Sequence, residues 1–291
     1  VSYKAYLSGL SGLVALWSLD EITGTNADEP ISGLDGTYTT NGGTITLADR
    51  VTAPSDPAVV KFVGGGYVTV PDNNLLSPQD GSSGLLSIVA DIYVTDLSTI
   101  RFIITKGGGG AGSGGENEYQ FRVNTDGSLL FEIVKIDGSS AVMSATSSAG
   151  VIATNTLYHV VGTYDRANTR IKAYVNGSSV ASSTSVSSTG TAGSKQVEIG
   201  RRRDLPTSLY MVGNEGHIGL FNRELSSTEV SDIYAQFTSS GDTPNEDNQD
   251  AIAYLYENIG VNNLNTKEAQ AYLYEEVVVH IPIKTTIGIP I

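Results

Sequence analysis

The sequence predicts an all-β protein: two antiparallel sheets packed as a sandwich, one short helix lying on them, and a separate C-terminal tail. Three observations carry that prediction. From residue 13 to about 224 the chain is a series of short alternating apolar and polar runs split by turn residues. Its 33 glycines and a charged fraction of only 16% suit strands and turns better than long solvated helices. Hairpin residues also fall between the alternating runs, above all Asn176-Gly177, since a type I′ turn needs positive φ at both central positions.

The elements follow in order. In "LVALWSLDE", Leu13, Ala15, Trp17 and Leu19 share a face, which makes this the first core strand with Trp17 packed inside. The longer stretch "LSGLSGLVALWSL" does not read as the apolar part of a secretory signal. One lysine precedes it, Ser and Gly interrupt it, and no small-residue cleavage pattern follows. Export without a signal, for instance by lysis of a host cell, is compatible with that. "LSIVADIYVTD" puts Ile88, Ala90, Ile92 and Val94 on one face. "EYQFRVNTDGSLLFEIV" is two strands joined at Asn124-Thr125-Asp126-Gly127, with Tyr119, Phe121 and Val123 alternating on the first. "LYHVVGTYDRANTRIKAYVNG" gives strand, turn, strand and the Asn176-Gly177 turn, and "KQVEIG" and "GHIGLFN" add further strands. In "LSSTEVSDIYAQF", Ser226 and Glu229 have capping-box spacing. Val230, Ile233, Tyr234 and Phe237 then recur as an apolar stripe that needs a sheet to lie on.

The sandwich is therefore assigned to residues 1–237, followed by a polar, acidic linker over 238–249 and a tail over 250–291. The tail repeats the word Ala-Tyr-Leu-Tyr-Glu, from Ala253 and from Ala271. Asp250 and Gly260 frame a short helix carrying Ile252, Leu255, Tyr256 and Ile259, and Asn265 and Glu268 open a second, although Tyr-Leu-Tyr alternation also fits a strand pair. "VVVHIPIKTTIGIPI" alternates Val277, Val279, Ile281 and Ile283, and its prolines confine it to a sheet edge. Roughly forty residues of this kind cannot stand alone as a domain. They fold back on the sandwich or pack on another chain. The second reading makes Tyr254, Leu255, Tyr256, Tyr272, Leu273, Tyr274, Val277, Val279, Ile281 and Ile283 the partner-docking residues, at about 2 kcal/mol for each large side chain buried.

Composition excludes several functions. Without cysteine there is neither a disulfide framework nor a thiolate metal site. A net charge of −14 opposes phosphate backbones and anionic lipid, so nucleic acid is not an expected partner. No apolar run reaches the length of a membrane span. His159, His217 and His280 lie on separate segments without a nucleophile motif beside them, and His159 reads as a packed or rim residue. "KGGGGAGSGGE" lacks the Gly-Lys-Ser/Thr ending of a phosphate loop and reads as a flexible loop, with Glu116 and Glu118 as solvated charges at its rim. The expectation is a protein that is not an enzyme.

The ordered set "ALWSLDE", "GGYVTVPD", "LYHVVGTYD", "RIKAYVNGSSV", "VEIGRR" and "GLFNRELSSTEVSDIY" resembles the laminin-G-like domains of the concanavalin A-like lectin/glucanase superfamily, over about residues 13–237. The resemblance implies a jelly-roll sandwich, frequent carbohydrate binding and often a structural Ca2+. By that resemblance Asp28 in "TNADEP" is the candidate metal ligand, with Asp20 or Glu21 nearby. Val63-Gly64-Gly65-Gly66 stands where relatives often carry an Asp, which weakens the match. The Glu-x-Asp-x-x-Glu run of the superfamily's glucanases is missing. No carbohydrate-binding residue is singled out. Tyr67, Tyr119 and Tyr210 are candidates for stacking on sugars or for the core, and Arg201–Arg203 read as a solvated strand end or as a grip on an acidic polymer.

The tyrosine-rich tail words resemble segments that follow adhesive domains in structural proteins of tailed bacteriophages. That resemblance implies a virion surface protein: a minor tail or fibre adhesin for host-surface glycan, anchored to other virion proteins by its C-terminal segment, with a homo-oligomer as the fibre-type assembly. The alternatives are an architectural capsid decoration or head-fibre subunit without sugar binding, and the carbohydrate-binding module of a depolymerising enzyme.

Overall fold

The computed structural model describes residues 2–49, 59–81, 83–108, 117–134, 141–185, 191–203 and 209–239. All of them fall in the first of the chain's two units, Val1–Gly241; the second is Asp242–Ile291. In chain order the elements are α1 (Tyr3–Ser8), β1 (Leu13–Trp17), β2 (Asn26–Ala27), β3 (Gly36–Thr40), β4 (Thr44–Asp49), β5 (Val59–Val63), β6 (Gly66–Val70) and β7 (Leu85–Val94). Then come β8 (Arg101–Gly107), β9 (Asn117–Val123), β10 (Leu129–Val134), β11 (Ala141–Thr146), β12 (Leu157–Asp165), β13 (Arg170–Val175), β14 (Ser178–Ser183), β15 (Val197–Ile199), β16 (Gly213–Phe221) and α2 (Ser227–Ser239).

The strands form two antiparallel sheets. The first runs β14-β13-β12-β7-β16-β5-β4, with β1 also paired to β16; the second runs β11-β10-β9-β8-β15-β6-β3-β2. This is the predicted sandwich. Ile88, Ala90, Ile92 and Val94 of β7 share one buried cluster with Tyr119, Phe121 and Val123 of β9, as the alternation requires. Trp17 is fully buried there and its Nε1 donates to the Leu34 carbonyl at 2.9 Å. A Cβ on Gly162 of β12 would overlap the ring of Phe131, so at this point glycine lets the two sheets close. Asn176 (φ 49°) and Gly177 (φ 76°) make the positive-φ turn between β13 and β14.

The first sheet is buried on both sides. Leu16, Val89, Val161, Tyr174 and Phe221 on its outer face pack against Tyr3 and Leu7 of α1 and Val230 and Ile233 of α2. That second layer explains why β7 and β12 are buried along nearly their whole length rather than on alternate residues. The helix α2 opens with the expected capping box: Ser226 N–H donates to Glu229 Oε2 at 2.9 Å and Glu229 N–H to Ser226 Oγ at 3.2 Å. The Arg223 side chain, with those bonds, holds the Glu229 carboxyl down at about 2.

Two features depart from the sequence reading. Helix α1 precedes the first strand, where no element is expected; Ser2 Oγ caps it by accepting from Ala5 N–H at 3.2 Å. Leu13 does not share a face with Ala15, Trp17 and Leu19. A register shift between Leu13 and Ala15 turns Leu13 towards the helical layer, where it packs on the second cluster.

Candidate functional site

The outer face of the first sheet carries a grouping that looks catalytic. His159 on β12 is paired in register with Asp91 on β7, which is paired with Gly216 on β16, next to His217. His217 Nδ1 lies 2.8 Å from Asp91 Oδ2. His217 adopts φ 45° where the β7–β16 register shifts, and that bulge turns its side chain outward. The helices roof the grouping: the Tyr3 ring stands 5.0 Å from His217, and the Phe237 ring 5.5 Å from His159. Burial pushes the Asp91 carboxyl up against the pull of His217, and burial with the nearby His217 brings His159 down to about 3. None of His159, Asp91 and His217 is more than 5% exposed. These residues are part of the packing under the helices, as expected for His159.

The outer face of the second sheet is different. Cα registers align one residue from every strand: Asn26, Thr37, Thr69, Glu198, Thr105, Gln120, Glu132 and Ser144, from β2 across β3, β6, β15, β8, β9 and β10 to β11. All eight are polar. Their strand neighbours Ala27, Tyr38, Val68, Val70, Val197, Ile199, Phe121, Phe131 and Ile133 point into the core. The row is thus a transverse band of hydroxyls, amides and carboxylates on one side of the sandwich.

Arginines capping aromatic rings stand beside this band. The Arg201 guanidinium lies 3.4 Å from the centroid of Tyr67, whose ring is 6.0 Å from that of Tyr210. Glu198 accepts from Arg201 through both its oxygens and from Gln196 Nε2 at 2.7 Å. Phe102 on β8 is opposite Arg122 on β9 and fully buried, with Arg122 and Arg202 at 5.5 and 5.7 Å from its centroid. Burial pulls the Arg122 guanidinium down, Glu132 opposes that, and Arg202 adds to it. Burial likewise pushes the Glu132 carboxyl up.

The structure decides some readings that the sequence left open and corrects others. Tyr119 is a core residue; its ring is fully buried and its hydroxyl donates to the Leu76 carbonyl at 3.2 Å. Tyr67 and Tyr210 belong to the second sheet's outer side but lie under or beside arginine, 8% and 4% exposed. Glu118 is no solvated rim charge. It is fully buried against Lys106 at 2.7 Å, and that ammonium also donates to Asp72 at 2.5 Å and to the Lys195 carbonyl at 2.8 Å. Glu116 lies outside the described residues. Arg201 is almost buried rather than a solvated strand end, while Arg203 is exposed.

The calcium reading finds no support among the described residues. Asp28 is exposed, and its Oδ1 accepts from the Asn26 amide. Glu21 accepts from Asp28 N–H at 2.7 Å and from the Tyr38 hydroxyl at 2.5 Å, and Asp20 pairs with Lys4 at 2.9 Å. Each of these carboxylates thus answers a different donor of the protein itself. Among the described residues no group of three His, Cys, Asp or Glu side chains is placed to hold a metal ion. The buried acid of this loop is the neighbour, Glu29. It accepts from the N–H groups of Leu16, Ile31, Ser32 and Leu34 at 2.8–3.2 Å and from Ser32 Oγ at 2.7 Å. Burial opposes its charge, but these donors win and hold the carboxyl below its usual range.

The docking residues Tyr254, Leu255, Tyr256, Tyr272, Leu273, Tyr274, Val277, Val279, Ile281 and Ile283, and His280, lie outside the described residues. The polar band was not foreseen. Its members occupy the polar alternates of their strands, which the sequence shows, but their alignment depends on long-range register, which it does not.

The laminin-G sequence profile of the concanavalin A-like lectin/glucanases superfamily matches residues 62–231, more than half of the chain. The chain belongs to that superfamily. No curated protein matches the laminin-G-like chain in sequence. Among solved structures it is similar to domain 4 of an extracellular arabinanase from Geobacillus stearothermophilus, in complex with arabinotriose. That likeness has 18% identity and a TM-score of 0.54, and covers 76% of this chain and 98% of that domain. It is also similar to Trypanosoma rangeli sialidase in complex with sialic acid, at 16% identity and a TM-score of 0.56, over 81% of this chain and 34% of that one. The binding domain of Paraclostridial Mosquitocidal Protein 1 matches at 13% identity and a TM-score of 0.54, over 78% and 52%. The chain spans about a third of the sialidase's length. At such identities the likeness is one of fold.

Proposed function

We propose that this chain is a non-enzymatic glycan-binding protein whose binding face is the outer side of the second sheet, and that it serves as an adhesin on the surface of a phage particle, held there by residues 250–291. The observation that carries the binding reading is the eight-strand polar band beside arginine-capped aromatics. A sugar presents hydroxyls that need donors and acceptors at fixed spacing; registered strands lie about 4.8 Å apart, and of the band Asn26 and Thr37 are exposed and Thr69, Glu132 and Ser144 half-buried, while Glu198, Thr105 and Gln120 are buried beneath them. The other broad face is closed by two helices, so the band is the side on which a chain of sugars can lie. Membership of a superfamily of lectins and glucanases supports the same reading. The phage setting is supported by the twice-repeated Ala-Tyr-Leu-Tyr-Glu tail, which resembles virion structural proteins.

A glycan array probed with the full chain tests the binding reading: defined oligosaccharides should retain it, and Thr37→Ala, at an exposed position of the band, should weaken that retention with little change in the melting temperature. Retention of no glycan sinks the reading. Quantitative mass spectrometry of purified particles tests the setting, which requires a fixed copy number per particle. A second reading, the carbohydrate-binding module of a depolymerising enzyme, is favoured by the match to 98% of the arabinanase domain. Under that reading the chain co-purifies with a glycosidase rather than with particles.

A further inference from the structure

Two helices from opposite ends of the first unit cover the outer face of the first sheet, and polar groups without partners lie beneath them. His159 on β12 has no exposed surface, and neither ring nitrogen makes a hydrogen bond. Asp91 faces it from β7, and His217 on β16 lies 2.8 Å from Asp91 Oδ2. Helix α1 contributes Tyr3, whose ring is 6.1 Å from His159, and α2 contributes Tyr234 and Phe237 at 5.9 and 5.5 Å. Asn176, after β13, accepts from the His159 backbone N–H at 3.0 Å and leaves the ring alone. The charged residues of the helices turn elsewhere: Lys4 pairs with Asp20, Glu229 with Arg223, and Asp232 is exposed. The Tyr3 hydroxyl and Asp91 Oδ1 are likewise buried and unmet. A proton on His159 would therefore sit among aromatic rings, with no acceptor within bonding distance of either nitrogen.

This layer can part without the core. Tyr3, Leu7, Val230 and Ile233 of the helices share a buried cluster with Leu16 and Val161 of the sheet, and that cluster is separate from the one between the sheets. The helices are the first and last elements of the unit, and neither takes part in a strand ladder. We infer that the helical layer is an acid-sensitive cover: uptake of a proton by His159 is coupled to the parting of α1 and α2 from the first sheet, while the two sheets stay closed on each other. The sign follows from the two environments. Beneath the closed layer, burial and the nearby His217 bring His159 down to about 3, whereas a solvated imidazole takes its proton near 6.5. Between those values each pH unit of acid favours the parted state by up to about tenfold. Asp91 works the other way, because burial holds its carboxyl up and its proton favours the closed state. A His159 variant keeps Asp91 and so isolates the histidine.

Hydrogen–deuterium exchange of the full chain at pH 7 and pH 5, corrected for the intrinsic exchange rate, tests this. Over that interval the protection of α2 amides should fall about twentyfold more in the wild type than in His159→Leu, while β9 and β10 keep their protection in both. His159→Phe, which keeps a ring beside Tyr3, Tyr234 and Phe237, should behave as the leucine variant does and serves if that variant fails to fold. An equal loss in wild type and variant overturns the inference. So does a loss spread evenly over both sheets, which would make the proton uptake a part of global unfolding. Unchanged α2 protection, with the His159 ring titrating near pH 6.5 by NMR, would place the charged imidazole inside the closed layer and overturns it as well.

Discussion

His159 has no exposed surface, and neither ring nitrogen has a hydrogen-bond partner. Burial and the nearby His217 hold it neutral, with its pKa down at about 3. In the unfolded chain the same imidazole takes a proton near pH 6.5. Between those values the folded state binds fewer protons, so stability from this site is complete above pH 6.5 and is lost as pH falls towards 3. At its steepest the loss is about 1.4 kcal/mol per pH unit. His159→Leu removes both the orphan nitrogens and the proton linkage. Urea unfolding at pH 7 and pH 5 should show the wild type losing more stability over that interval than the variant, and a variant with the same loss would refute the assignment. Glu29 is the opposite kind of buried residue, a charge with every donor it needs. Glu29→Ala leaves the N–H groups of Leu16, Ile31, Ser32 and Leu34 without an acceptor and should cost about 3 kcal/mol in the same measurement. A cost under ~1 kcal/mol would show that water satisfies the loop.

Between elements, the closest approach is where Phe131 of β10 packs on Gly162 of β12. Gly162→Ala adds one methyl where the ring already sits. It should lower stability by about 1–3 kcal/mol through overpacking, although alanine ordinarily suits a strand better than glycine; a gain in stability would mean the sheets separate freely there. This contact also marks the limit of what the sequence reveals. The strands around Ile88 and Phe121, the Asn176-Gly177 turn and the Ser226–Glu229 cap are legible because each is fixed by residues close together along the chain. Helix α1 is not: six residues are too few to be stable alone, and it exists because Tyr3 and Leu7 are buried against the first sheet and α2. The bulge at His217 and the Leu13 register shift depend on which strand β16 meets, β5 along Gly213–Glu215 and β1 beyond it. The polar band is hidden for the same reason. Each strand announces a polar face, but only pairing brings Gln120 level with Thr105 and Glu132.

For the molecule as a whole, both apolar clusters are assembled, among the described residues, between Tyr3 and Phe237, and the first compact unit ends at Gly241. A sandwich with its own core and its own helical layer has the parts it needs to fold alone. The tail, by contrast, is aromatic and apolar over a stretch too short to bury itself. A chain ending at Gly241 should therefore melt in one transition within about 2 °C of the full chain, the shift expected for less than 1 kcal/mol in a domain of this size. It should keep the glycan affinity of the full chain and lose incorporation into particles. A melting temperature lowered by about 10 °C or more would mean that residues 242–291 cover the sandwich itself, and that their tyrosines are internal packing. Undiminished incorporation would place the anchor on the sandwich. The two measurements separate a docking tail from a folded-back one, because only a docking tail leaves the melting curve alone while emptying the particle.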